Sequence, residues 1–176
     1  LDDEAELDIE RMLAESSERL TADDRRQIEK DVPRTAAWLA KGDGAPELAE
    51  AEEQAALESV RNVLQAHATR VAIKRDIHDT KASSYLQGMN GIAYSMLMAT
   101  GGNESLSYQF LVAITDKLMP NLFGQVRGST ELQTIGRLFE QLVAEQLPDM
   151  FASLKGRVPP RIFASKWLHN VYTPIQ

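Results

Sequence analysis

Two short segments hold the side chains best suited to chemistry: Ile28-Glu-Lys-Asp31-Val-Pro-Arg34-Thr35 and, about fifty residues later, Tyr85-Leu-Gln87-Gly88-Met89-Asn90. Arg34 offers a guanidinium, a planar fork of several donors that matches phosphate oxygens and stays charged at any accessible pH. Gln87 offers an amide, which can hold a water by its oxygen and a backbone group by its nitrogen. Neither is informative alone, because an Arg near an Asp at a helix end is ordinarily a surface ion pair worth about 0–1 kcal/mol. The pairing matters more. A guanidinium that neutralises phosphoryl charge and an amide that orients an attacking water are complementary requirements of phosphoryl transfer to water.

Positioning these tips is the task of the surrounding elements. The residue before a proline is pushed out of the helical region, so Val32-Pro33 predicts that a helix over roughly Ala22 to Asp31 ends there, leaving Arg34 on a tight loop. Asp31 is then one turn away and can orient the guanidinium through a charge-assisted hydrogen bond, while Ile28 anchors the helix in the core. Gln87 precedes Gly88, which lets a backbone or partner approach closely, and a strongly amphipathic helix opens near Met89. Tyr85 supplies a half-buried ring to fix the loop. Asn90 can bond backbone near the helix start.

Helical periodicity recurs along the chain, and no stretch alternates in the manner of strands, so the expected fold is all-α with about eight helices. Met89, Ile92, Ala93, Met96 and Leu97 form one apolar stripe, and Leu132, Ile135, Leu138, Phe139, Leu142 and Val143 another. Leu57, Val60, Leu64 and Val71, and Phe110, Leu111, Ile114 and Leu118, complete the expected core. Thr21, Asn103 and Ser129 are candidate N-caps, and Pro46 suits a first turn. Loops are expected at Lys41 to Ala45, Gly101 to Asn103, Gly124 to Gly128 and Gly156 to Pro160. The stretch from Arg70 to Ser84 loses its periodicity and reads as a loop leading into Tyr85.

Composition narrows the function classes. The 176 residues are 43% hydrophobic and 26% charged, which suits one globular domain. Net charge is −7, but residues 1–60 hold 18 acidic and 7 basic side chains, against 8 and 12 in residues 61–176. Such a balance is poor footing for nucleic acid, which calls for clustered Lys and Arg. The acidic half reads as solvated helix faces. Without cysteine there are no disulfides or thiolate sites, in keeping with a reducing compartment. The most apolar stretch, Ile92 to Ala99, falls far short of the ~20 residues that span a bilayer, so no direct membrane insertion is expected. His67, His78 and His169 lack metal-ligand spacing, no Gly-rich loop ends in Gly-Lys-Ser/Thr, and Asp23-Asp24 reads as a carboxylate pair favoured by a helix N-terminus.

Together the two segments resemble the signature of TBC-type Rab GTPase-activating proteins. Five specified letters, as in Tyr-x-Gln-Gly-Met-Asn, arise by chance about once in several million positions, and both segments occur in the family's order. The likeness extends over roughly residues 25 to 170, taking in Val60 to Leu64 and Phe163 to Leu168. It implies an all-helical domain over residues 25–176, preceded by an acidic helical segment over 1–24. Because the chain begins at Leu1 and stops at Gln176, before the Trp-Asp segment expected after Trp167, an excised piece or a processed product, lacking part of the C-terminal lobe, is expected.

The resemblance further implies that Arg34 is an arginine finger and Gln87 a glutamine finger. Both would be supplied in trans to a Rab-type small GTPase, with Ile28, Asp31, Thr35, Tyr85, Gly88, Met89 and Asn90 in support. The chain would turn over no substrate of its own, and GTP and Mg²⁺ would come with the partner. Membrane trafficking and a cytoplasmic location, with recruitment to membranes through the GTPase, are implied likewise. The alternative is a TBC-like scaffold that binds a small GTPase or another partner without catalysis.

Overall fold

The structure, a computed structural model, describes residues 7–39, 50–76, 83–120, 128–154 and 159–162. These form seven α-helices and one π-helical turn, with no strand among the described residues. The all-α expectation holds. Expectations that fall on Pro46, Lys41 to Ala45, His78, Gly124 to Arg127, Gly156 to Val158 and Phe163 to His169 lie outside the described residues, as does the side chain of Leu132.

Local chemistry explains where the helices start. Helix α1 (Ile9–Arg19) is capped by Asp8, whose carboxylate accepts from the amides of Glu10 and Arg11, and it buries Ile9 and Met12. Helix α2 (Ala22–Leu39) begins behind Thr21, whose hydroxyl accepts the Asp24 amide at 3.0 Å. Asn103 caps α5 (Glu104–Ala113) by accepting the Leu106 amide at 3.0 Å. Thr21 and Asn103 thus do what their sequence positions suggest, each satisfying an orphan amide of a first turn. Ser129 does not stand before its helix but within it, since α6 spans Gly128–Gln146.

Helix α3 (Glu50–Asp76) is the spine. At 27 residues it is roughly 40 Å long, and α1, α2, α4 (Met89–Ala99) and α5 all pack against it. That arrangement corrects the loop expected from Arg70, because the helix runs on to Asp76. A helix covered by neighbours on several sides need not keep a single apolar stripe, and its residues from Ala66 to Arg70 are all buried, polar ones included. Beyond Arg70, of the next four residues Ala72 is buried and Val71, Ile73 and Lys74 are half-buried, so no single apolar stripe marks these turns.

The core is built from Val60, Val63 and Leu64 of α3 with Ile28 and Val32 of α2, Met89, Ile92, Ala93 and Leu97 of α4, and Tyr108 and Leu111 of α5. Fully burying an aliphatic side chain contributes about 1.5–3 kcal/mol, so this shared cluster fixes the α2–α3–α4 geometry on which the two motif segments depend. After α5 the chain passes straight into a π-helical turn, Ile114–Leu118.

Other apolar positions are not buried as expected. Phe110 and Leu118 are exposed, as are Ile135, Leu138 and Leu142 of α6, the latter two at 54% and 57%. Of that stripe Val143 is buried. Helix α6 packs on α7 (Pro148–Leu154), and a helix of seven residues offers too little surface to cover a stripe running the length of α6. Residues 159–162 lie against it too: a Cβ at Gly136 would sit 3.3 Å from the Arg161 Cβ, and Arg161 Nη1 donates to Glu140 at 2.8 Å. The absence of a side chain at Gly136 permits that approach.

Candidate functional site

Helix α2 does not stop before Pro33 but continues through it to Leu39. Arg34 therefore projects from a helix, not from a loop. Proline costs an interior helix one hydrogen bond and crowds the preceding turn. Here the residues on either side pin the chain by tertiary contacts: Ile28, Val32 and Thr35 are fully buried, while Pro33 itself faces solvent. Local preference yields to burial.

Asp31 organises the site. Its side chain is 1% exposed and accepts three hydrogen bonds, from Arg34 Nη1 at 2.6 Å, Gln27 Nε2 at 3.1 Å and the Tyr85 hydroxyl at 3.0 Å. A buried carboxylate without such partners is strongly disfavoured. Burial, with the Asp31 charge beside it, pushes the Tyr85 phenol well above its ordinary range, so Tyr85 remains a neutral donor. One carboxylate thereby joins α2 to the segment that carries Gln87.

A second tie runs beside the first. Asn90 Nδ2 donates to the Asp31 carbonyl at 3.1 Å and to the Thr35 hydroxyl at 3.2 Å, all buried. Gly88, which stands before α4, has φ 101° and ψ −15°. That left-handed backbone is disfavoured by about 1–2 kcal/mol for an L side chain, so glycine is the residue that allows the chain to turn from Gln87 into the helix. Met89 behind it is buried.

All nine sequence-predicted residues can now be placed. Ile28, Asp31, Thr35, Tyr85, Met89 and Asn90 are buried, and Gly88 makes the turn. Arg34 and Gln87 face solvent, the Arg34 side chain at 57% exposure. Among the described residues the Gln87 amide has no hydrogen-bond partner. The tips are exposed and their supports are not, which is how a site holds reactive groups in a fixed geometry for an incoming ligand.

Sequence reasoning missed three members of this network. Gln27 braces Asp31 from four residues upstream, a spacing that places both on one helix face. Asp24 is buried and reaches across to residues 83–85, whose Ser83 hydroxyl it accepts. The spacing of Thr21 and Asp24, a cap residue and a carboxylate three positions later, was the available signal.

A second polar centre lies where α3 meets the π-helical turn. His67 is buried, its Nε2 3.0 Å from the Thr115 hydroxyl, and burial, reinforced by the Arg70 charge, lowers its pKa to about 4. Arg70 meets the Asp116 carboxylate with both terminal nitrogens, at 3.3 and 2.5 Å, and Lys74 lies 3.5 Å from it. Burial pulls Asp116 upward, but the hydrogen bond and charge of Arg70, with Lys74, hold it below the usual carboxylate range. The π-turn brings Thr115 and Asp116 to these partners.

No cluster of three or more His, Cys, Asp or Glu suited to a metal occurs among the described residues, and none of their helices is long and apolar enough to cross a membrane. A family model of the Rab-GTPase-TBC domain matches residues 3–174. Comparison with curated proteins and with solved structures gave no match.

Proposed function

The chain belongs to the Rab-GTPase-TBC domain family, and from that premise we propose that it accelerates GTP hydrolysis on a Rab-type small GTPase by lending Arg34 and Gln87 to the partner's active site. GTP and Mg²⁺ arrive with the partner, and any association with membranes runs through it. Water attacks the γ-phosphorus, the bond to the β–γ bridging oxygen breaks, and GDP and phosphate leave. Charge spreads over the transferring phosphoryl oxygens as this happens. Arg34 meets that charge, while the Gln87 amide oxygen orients the water.

The observation that carries this reading is the Asp31 carboxylate, which holds the Arg34 guanidinium on one oxygen and the Tyr85 hydroxyl on the other. Two solvent-facing tips share one buried root. An arginine inserted in trans contributes about 10³–10⁵ in rate, far more than the ion pair it makes in the free protein. That gain depends on the guanidinium entering a water-excluded site already oriented.

Binding to a Rab loaded with GDP and aluminium fluoride, which mimics the transition state, provides the test. A panel of Rabs is titrated in that state and in the GTP state. A catalyst binds the mimic much more tightly than the GTP form, and Arg34→Ala removes the difference. Equal affinity for both states identifies a non-catalytic scaffold and overturns the proposal.

A further inference from the structure

Asp24 stands third in α2, the position from which a carboxylate ordinarily folds back onto the amide at its own helix start. Here it is turned outward instead. Its Oδ1 accepts the Ser83 hydroxyl at 2.5 Å, the Ser84 amide at 2.9 Å and the Tyr85 amide at 3.1 Å. Its Oδ2 accepts the Thr21 hydroxyl at 2.8 Å. The side chain is buried together with Ser84 and Tyr85, so these bonds are shielded from water. The carboxylate caps a foreign segment, sixty residues away in sequence, that runs directly into Gln87.

We propose that Asp24 is a positioning residue for Gln87, fixing the backbone of residues 83–85 so that the amide two residues on meets the nucleophilic water at a set height and angle. The assignment rests on the activator function proposed above. Tyr85 is gripped twice, by Asp24 at its amide and by Asp31 at its hydroxyl. Removing one grip leaves the ring docked but frees the backbone to pivot about it. Ser83 contributes a second restraint, its single hydroxyl proton lying within reach of the Tyr85 carbonyl at 2.7 Å as well as of Asp24. Arg34 meets this linkage only at Asp31, which keeps its Arg34, Gln27 and Tyr85 bonds when Asp24 is removed.

Because one oxygen takes all three donors from residues 83–85, the grip needs an acceptor and not a charge. Asparagine can present its carbonyl to that segment and its amide nitrogen to the Thr21 hydroxyl. Asp24→Asn therefore keeps stimulated hydrolysis within a few-fold of wild type. Asp24→Ala lowers the maximal stimulated rate by about ten- to a hundredfold, the usual cost of a group displaced by an ångström, with little change in affinity for the GTP-loaded Rab. Ser83→Ala causes a smaller loss in the same direction.

A double-mutant cycle in stimulated hydrolysis, run against the Rab that responds best to the wild-type chain, decides the matter. If Asp24 acts through Gln87, Asp24→Ala costs its full factor in the wild-type background but little further in a Gln87→Ala background. Equal cost in the wild-type and Gln87→Ala backgrounds overturns the assignment while leaving the activator function standing. A wild-type chain that stimulates no Rab sinks the activator function instead. Hydrogen exchange gives an independent readout, with the Ser84 and Tyr85 amides expected to turn fast in Asp24→Ala while the α3 amides stay slow. Unchanged exchange at those two amides also overturns the assignment.

Discussion

The polar centre at Asp31 and the polar centre beside His67 each pair an Arg with an Asp, yet they bury opposite members of the pair. From Asp31 the hydrogen bonds lead outward, to Arg34 and through Tyr85 to the segment of Gln87, whose polar tips face solvent. From His67 they lead to Thr115, and the terminal nitrogens of the buried Arg70 guanidinium go to Asp116, whose carboxylate is the partly exposed member of the pair. A buried guanidinium can only hold a fold together. An exposed one delivers oriented donors to whatever approaches, and the difference is not visible in residue types, since each centre contains an Arg and an Asp.

The two arginines should therefore fail in opposite ways. Arg34→Ala is expected to lower stimulated GTP hydrolysis by about 10³-fold or more, which is ~4 kcal/mol of transition-state stabilisation. Its folding stability, read by urea melts, should fall by less, about 1–3 kcal/mol, because the buried Asp31 loses its charged partner but keeps Gln27 and Tyr85 as donors. A large loss of stability with hydrolysis intact would mean that Arg34, like Arg70, serves the fold.

The next effect is a matter of pH. With its folded pKa lowered to about 4 from 6.5, His67 stays neutral where the unfolded chain already binds a proton. The unfolded state then holds more protons, so stability is full above about pH 6.5 and declines as pH falls toward 4. The decline amounts to roughly 3 kcal/mol for a shift of this size. Melts of the wild type and of His67→Gln across that window check it, the variant showing the flatter profile.

Arg70→Ala is expected to destabilise by about 2–3 kcal/mol, the cost of a lost hydrogen bond to a charged group, and to leave stimulated hydrolysis at saturating activator within a few-fold of wild type. Smallest is Gly88→Ala, which forces a side chain into a left-handed backbone and should cost about 1–2 kcal/mol in denaturant melts. Because Gly88 adjoins Gln87, it should also lower the maximal stimulated rate. A Gly88→Ala protein with unchanged stability would mean that the turn into α4 has an alternative conformation.

The apolar residues teach a related lesson. Met89, Ile92, Ala93 and Leu97 form a stripe that is buried, whereas Ile135, Leu138 and Leu142 form an equally good stripe that is exposed. Periodicity states which face of a helix is apolar. It does not state whether a neighbour of sufficient size lies against that face.

Much of the site was legible because its parts are local. The Arg34 and Gln87 segments announce themselves by residue type and spacing, Thr21 and Asn103 cap helices with atoms a turn away, and all-α character follows from repeated short-range patterning. Long-range competition decided the rest. Pro33 lies inside a helix because burial of Ile28, Val32 and Thr35 outweighs one missing hydrogen bond, and α3 continues past Arg70 because four helices pack against it. Asp24 looked like a residue serving its own helix dipole. Only the chain's return brought Ser83, Ser84 and Tyr85 within reach of its carboxylate, since a hydrogen bond between residues sixty apart depends on a path through space that no local preference encodes.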